Sequence, residues 1–165
     1  FQVWVDYPNE DEELEIIKRT TSDIESQITP TLGTDEIMQL TRVVRRVPIA
    51  DHIARYALKL ARMTRPKTDH APDFVKEFIL WGAGPRASQY LVLGSKARAV
   101  LKGRYYVSTD DIRAVAAPVL RHRIRTNFNA DAEGLTSDDL VQRLLEHLPP
   151  DEADHDVYRQ ADAAS

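Results

Sequence analysis

The stretch Trp81-Gly82-Ala83-Gly84-Pro85-Arg86-Ala87 constrains this chain more than any other, because it marks where a helix begins and puts a cation at the unfavourable end of it. Pro85 suits the first helical position: its fixed φ matches the helix, and its missing N–H would have had no partner there. Gly82 and Gly84 allow a tight entry and a close approach of the backbone to a neighbour or a ligand. Behind them Ala87, Tyr90, Leu91, Gly94, Ala97 and Leu101 recur at three- and four-residue spacing, predicting one buried stripe, and Gly103 predicts the C-terminal cap. Lys96, Arg98 and Lys102 fall in later turns, where the helix dipole favours cations. Arg86 falls in the first turn, where unpaired N–H groups already carry partial positive charge. A cation there calls for an anion, either an acidic side chain of a neighbouring helix or the phosphate or carboxylate of a ligand. The motif alone does not choose between them.

The remaining sequence predicts one short strand followed by helices. Phe1, Val3, Val5 and Tyr7 alternate with Gln2, Trp4 and Asp6 until Pro8, the period of a half-buried strand. A lone strand is unstable, so this one predicts pairing with a sheet or with another chain. Asn9 and Glu12 predict a capping box for a helix with Leu14 and Ile17 inward, its core continued by Ile24 and Ile28. Thr34 predicts the cap of a helix burying Ile37, Leu40, Val44 and Val47. After Pro48 a second helix buries Ile49, Ile53, Tyr56, Ala57 and Leu60, and the two are expected to pack as antiparallel neighbours. Residues 64–73 read as a polar loop, and 74–81 as a short helix or an extended stretch, with helix preferred. Ser108 caps a helix through Ile112, Val115, Ala116, Val119 and Leu120, interrupted by Pro118. Ser137 caps a last helix carrying Leu140, Leu144, Leu145 and Leu148, which Pro149-Pro150 end.

Charge is segregated along the chain. Residues 1–41 hold ten acids and two bases, and residues 126–165 the same, whereas 42–85 hold nine bases to four acids and 86–125 nine to two. A basic centre of this kind fits nucleic acid in one reading and internal neutralisation by the acidic ends in another. With 42% apolar residues the chain can bury one core or two small ones. It has no cysteine, hence no disulfide framework or thiolate chemistry, and no apolar run of transmembrane length or signal peptide; a cytoplasmic location is expected.

Complete catalytic chemistry is missing from these residues. No Gly-x-x-x-x-Gly-Lys-Ser/Thr occurs to cradle phosphates, and no strand ends in paired acids to hold Mg²⁺. His52, His70, His122, His147 and His155 lack zinc-ligand spacing, so no metal site is expected. Asp110 and Asp111 sit in the first turn of a helix, where capping and the dipole account for both.

From Gly82 to Ile124 the chain resembles the lid subdomain of the MoxR family of AAA+ ATPases. The resemblance rests on Gly82-Ala83-Gly84-Pro85-Arg86-Ala87, Lys96-Ala97-Arg98-Ala99, Gly103-Arg104-Tyr105-Tyr106-Val107 and Val119-Leu120-Arg121-His122-Arg123-Ile124, in the family's order and spacing. It implies an all-α fold: an AAA+ lid-type helical bundle with one short N-terminal strand left over from a truncated α/β ATPase core. Residues 1–8 would be that last core strand, 9–125 the helical lid, 126–149 a C-terminal helix extension and 150–165 a disordered tail. The P-loop and the rest of the catalytic core would precede Phe1.

The same resemblance gives Arg86 the catalytic role of the sensor 2 arginine. Ala83, Gly84, Pro85, Arg86 and Ala87 become the nucleotide-binding set. Gly84 departs from the serine frequent before the proline in that family. ATP and Mg²⁺ are then cofactors of the full-length protein, with none expected on this part alone, which would not hydrolyse ATP. The implied partners are the ATPase core, further copies in a hexameric ring, and client proteins with a von Willebrand factor A domain; the implied function couples ATP hydrolysis to remodelling or maturing those clients. The alternative is a helical nucleic-acid-binding module using the basic centre. It is disfavoured because the helix after Arg86 carries a small-residue apolar face where base-reading side chains would be needed, and because the acidic flanks repel phosphates.

Overall fold

The computed structural model describes residues 1–23 and 28–150. The elements run α1 (Glu10–Thr20), α2 (Thr34–Arg46), α3 (Asp51–Met63), α4 (Asp73–Phe78), β1 (Ile79–Trp81), α5 (Pro85–Leu101), α6 (Thr109–Leu120), β2 (Arg125–Thr126), α7 (Phe128–Ala132) and α8 (Ser137–His147). The fold is a helical bundle carrying one small two-stranded sheet.

Helices α5 and α6 form the centre, with α3 against α5 and α8 closing over α6 and α3. Their turn is built by local chemistry. Gly103 takes φ +72°, and the N–H groups of Arg104 and Gly103 return to the carbonyls of Ala99 and Val100, both at 2.9 Å, a Schellman closure of α5. Ser108 then opens α6 in a capping box with Asp111. Ile53, Ala57, Leu60, Ala87, Leu91, Ile112, Val119, Leu120, Leu140 and Leu144 have no exposed surface and belong to one continuous core. The segment expected as an extension, 126–149, shares that core through α8. Arg113 of α6 fastens α8 by donating to the carbonyls of Leu145 (2.8 Å) and Leu148 (2.9 Å) and to the Tyr56 hydroxyl of α3 (2.9 Å).

The strand content lies elsewhere than expected. Residues 1–9 form no strand: a ladder needs a neighbouring strand, and the segment instead donates one N–H from Gln2 to the Pro118 carbonyl and sets the Phe1 ring against Gly94. The actual sheet pairs β1 with β2 antiparallel, Ile79 opposite Thr126 and Trp81 opposite Arg125, with an irregularity between them. Residues 74–81 therefore divide, helix to Phe78 and strand from Ile79, because Ile79–Trp81 meets a partner that only the return of the chain after α6 supplies.

Burial corrects the outer helices. α1 has its capping box, but Leu14 and Ile17 are about half exposed and Ile28 almost fully so; Ile24 lies outside the described residues, as does 151–165 of the expected tail. α2 packs on α5 rather than along α3, leaving Ile37 and Leu40 half exposed and Val44 partly covered. On α5, Ser95 and Ala99 are buried where Tyr90 and Leu101 were expected, since α3 and α6 hold the helix from a slightly different side. The caps of α2 and α8 are Gly33 and Thr136, one residue before the expected Thr34 and Ser137.

Candidate functional site

The entry to α5 is held from below by the end of α3. Thr64, fully buried, donates its hydroxyl to the Ala61 carbonyl at 2.7 Å and accepts the Ala83 N–H at 2.8 Å. The Nε of Arg65 donates to the Ala83 carbonyl at 2.9 Å. Both polar groups of the Ala83 peptide unit are thus tied to consecutive residues of one helix end. Gly82 makes this possible: a Cβ there would lie 2.2 Å from the Thr64 carbonyl oxygen and 2.7 Å from the Arg65 Cα, so only glycine lets the two backbones meet. Gly84 is different. A Cβ added there would meet open space, its φ is an ordinary −78°, and it serves as the N-cap with Pro85 at the first helical position.

On this support Arg86 is exposed and makes no hydrogen bond or ion pair with any described residue. Among the described residues none is the acidic partner that sequence reasoning offered as an alternative. No acid occupies the first turn of α5 either, so the partial positive charge of the helix end and the guanidinium stand together unneutralised. Ala83 and Ala87 are buried, their methyl groups in the core, so their route to a ligand is through the backbone, whereas Gly84, Pro85 and Arg86 lie at the surface. Beside them is a cavity of about 260 Å³ lined by Arg65, Lys67, Leu80, Trp81 and Gly84. The Trp81 ring is 63% exposed, with the Lys67 ammonium 5.7 Å from its centre.

The basic segment after α6 is largely spoken for. Arg121 pairs with Asp138 at 2.9 Å and donates to the Gln2 carbonyl, and Arg123 donates to the Val119 carbonyl in the last turn of α6. The Arg123 guanidinium also lies 5.1 Å from the centre of the Tyr90 ring, one turn along α5 from Arg86. His122 contacts Arg123, and burial together with the adjacent positive charges, Arg123 foremost, lowers its pKa from the ordinary histidine value.

Asp111 was read as a capping residue, and it is one, but the structure adds a buried hub. Its carboxylate has no exposed surface and accepts from Arg98 (2.6 Å), from Arg104 (2.6 and 2.8 Å) and from the Ser108 N–H and hydroxyl (3.0 Å each). Burial alone would raise its pKa; the Arg104, Ser108 and Arg98 bonds outweigh that and hold it below the usual carboxylate value. Two of the four segments behind the family resemblance thus meet at this one carboxylate, where they brace the α5–α6 turn.

Residues 73–144 match the family model described as "AAA lid domain". That stretch is similar to the lid of AAA+ ATPases, and MoxR proteins are among the relatives. The chain is similar to Chaperone MoxR1 of Mycobacterium tuberculosis, 29% identical over 148 residues, covering 88% of this chain and 38% of that one. It is 27% identical over 147 residues to the uncharacterized protein YeaC of Bacillus subtilis (88% and 43% covered), and 51% identical over 46 residues to Protein MoxR of Paracoccus denitrificans (28% and 14% covered). Among solved structures it superposes on a candidate ATPase from Cytophaga hutchinsonii with a TM-score of 0.77 at 26% identity, over 90% of this chain and 45% of that one. The chain thus spans less than half the length of the curated relatives it matches.

Sequence reasoning missed Thr64 and Arg65, which hold the arginine's platform. Their signal was faint: Thr64-Arg65-Pro66 sits in a stretch whose polarity and prolines read as loop, and only the fold brings it under Gly82.

Proposed function

We propose that this lid senses the nucleotide state of an AAA+ core through Arg86 and passes it on as a change in lid angle that drives remodelling or maturation of client proteins. The observation that carries the proposal is Arg86, without a partner among the described residues, at the N-terminus of a 17-residue helix, on a loop tied at both polar groups of Ala83 to the end of α3. A rigid mount and an unneutralised guanidinium are what an arginine needs to meet a phosphate supplied from outside the lid.

The residues present fit half of an ATP site. Arg86 would donate to the γ-phosphate, Gly84 and Pro85 would set its position, and Ala83 and Ala87 would contribute backbone near the base or ribose. ATP with Mg²⁺ supplies the phosphoryl group whose oxygens gain charge as the bond to the leaving group breaks; planar guanidinium donors stabilise that charge. Among the described residues no acidic or histidine cluster suits a metal, and in this proposal Mg²⁺ belongs to the core. The MoxR resemblance extends the reading to a cytoplasmic hexameric ring acting on von Willebrand factor A domain clients.

The test is Arg86→Ala in the full-length protein. ATP turnover should fall by about 100-fold or more, the scale of losing one preorganised donor to a developing oxyanion, while the circular dichroism of the lid is unchanged. Turnover within twofold of wild type would remove Arg86 from the mechanism. The 165-residue chain on its own should hydrolyse no ATP, and robust turnover by it would overturn the reading.

A further inference from the structure

Strand β1 breaks the alternation a strand should keep. Ile79 and Trp81, two residues apart, belong on one face of a regular ladder, and Ile79 is buried; yet Leu80 and Trp81 are both exposed, the Trp81 ring at 63%. The cause lies in the pairing. Ile79 stands opposite Thr126 and Trp81 opposite Arg125, so two steps along β1 answer one step along β2, and the extra residue makes a β-bulge. A bulge re-aims the side chain beside it, and here the largest side chain of the strand is turned out of the core. One residue later the backbone is fixed again, with Gly82 fitted against Thr64 and Arg65. The indole therefore sits on a rigid mount.

Trp81 lines the cavity of about 260 Å³ beside the entry to α5. That volume is a little below the ~300–1,000 Å³ of a pocket that takes up a whole drug-sized ligand, so the cavity suits one flat ring system and leaves whatever is attached to it outside. Pro66, Leu80 and the indole supply an apolar wall, and Arg65 and Lys67 supply a cationic rim with no acid among the lining residues. The Lys67 ammonium lies over the indole, 5.7 Å from its centre. Arg65 uses its Nε on the Ala83 carbonyl, and its two terminal nitrogens make no hydrogen bond with a described residue. An aromatic face beside guanidinium donors is the chemistry that receives a nucleobase, whose π-face stacks and whose ring nitrogens accept hydrogen bonds. The spacing agrees. Trp81 stands three positions before Gly84, at most about 10 Å of extended chain, and Arg86 follows in the first turn of α5. A base at one end of this loop and phosphates at the other match the order of groups along a nucleoside triphosphate.

We propose that Trp81 is the base platform of the site: the adenine of ATP stacks on its indole in this cavity, with Arg65 as a donor to the ring nitrogens, while Arg86 meets the phosphates. This assignment rests on the proposed reading of the chain as the lid half of an ATP site, and adds to Arg86 a residue that recognises the base. Stacking tolerates any base, so Trp81 sets the preference for a base-bearing nucleotide over bare polyphosphate.

The full-length protein tests it, with ATP as substrate and inorganic tripolyphosphate, which has the phosphates and no base, as competitive inhibitor. In Trp81→Ala the KM for ATP should rise about 10-fold, the scale of one lost base–aromatic stack, with kcat changed much less and the inhibition constant of tripolyphosphate within about twofold of wild type. Trp81→Phe should recover most of the ATP affinity. A rise shared equally by ATP and tripolyphosphate would mean a displaced loop; an unchanged KM for ATP, or no recovery in Trp81→Phe, would mean that no base rests on the indole. Each of these overturns the proposal. Arg86→Ala separates the two readings. If it abolishes turnover while Trp81→Ala leaves the KM unchanged, only the base platform fails. A base-selective loss in Trp81→Ala with normal turnover in Arg86→Ala would keep the platform and remove only Arg86, and no effect from either variant would remove both.

Discussion

Gly82 and Gly84, two residues apart, should differ sharply in their response to the same substitution, a large loss at the first and almost none at the second. In Gly82→Ala the new Cβ would stand 2.2 Å from the Thr64 carbonyl oxygen, where ordinary contact begins near 3.4 Å. The obstacle is backbone, so no side-chain rotation relieves it, and a packed interior gives way by opening the joint by about 1 Å. That displacement takes the Ala83 N–H out of range of the Thr64 hydroxyl, now 2.8 Å away, and loosens the 2.9 Å bond from Arg65. Overpacking costs about 1–3 kcal/mol and a buried unsatisfied N–H about 1–3 kcal/mol more, for a total of roughly 2–6 kcal/mol. At about 2–4 °C per kcal/mol for a chain of this size, Tm should fall by roughly 5–20 °C. In Gly84→Ala the Cβ enters open space at a permitted φ. A modest loss of N-cap preference is offset by reduced freedom of the unfolded chain, leaving a net change within about 0.5 kcal/mol. Thermal and urea unfolding followed by circular dichroism measures both. Equal losses for the two variants, or a cost below about 1 kcal/mol for Gly82→Ala, would refute the close-approach argument.

Asp111→Asn should destabilise the fold by about 2–4 kcal/mol, somewhat below the usual cost of breaking a buried pair because Arg98 and Arg104 are partly exposed. Because the folded-state pKa of Asp111 is lowered, its stabilisation is fully present above the unfolded carboxylate value near 4 and is lost as pH falls through the folded value; the gap between wild type and variant in acid unfolding should close only below about pH 4. Arg113→Met removes the donor that ties Leu145, Leu148 and Tyr56 together, and amide exchange in α8 should accelerate by roughly 10- to 100-fold, with exchange in α5 changed less. Unchanged protection in α8 would show that apolar packing alone holds it. Arg86→Ala, by contrast, should leave Tm within about 2 °C, since an exposed side chain without a partner has little to lose.

The sequence was most legible where local chemistry and burial agree. Pro85 and Gly103 marked the ends of α5, Ser108 the start of α6, and the three-four spacing of Ile53, Ala57 and Leu60 the inner face of α3, because each depends on residues within a turn or two of one another. It was least legible where a partner decides. Residues 1–7 have the alternation of a strand but no ladder here, while Ile79–Trp81 is a strand because Arg125–Thr126 returns beside it. Leu14, Ile17, Ile37 and Leu40 have helical periodicity, yet periodicity reports which residues share a face and not whether anything covers it.

The same division runs through the candidate site. An arginine in the first turn of a helix behind Gly-x-Gly-Pro is readable from the sequence alone, since the helix dipole and the geometry of proline are local properties. Whether that arginine is neutralised, which of the two glycines is irreplaceable, and what anchors the loop were decided only by tertiary structure. Close approach, burial and pairing depend on residues such as Thr64, Arg65 and Asp111, which the chain brings to their partners only by folding.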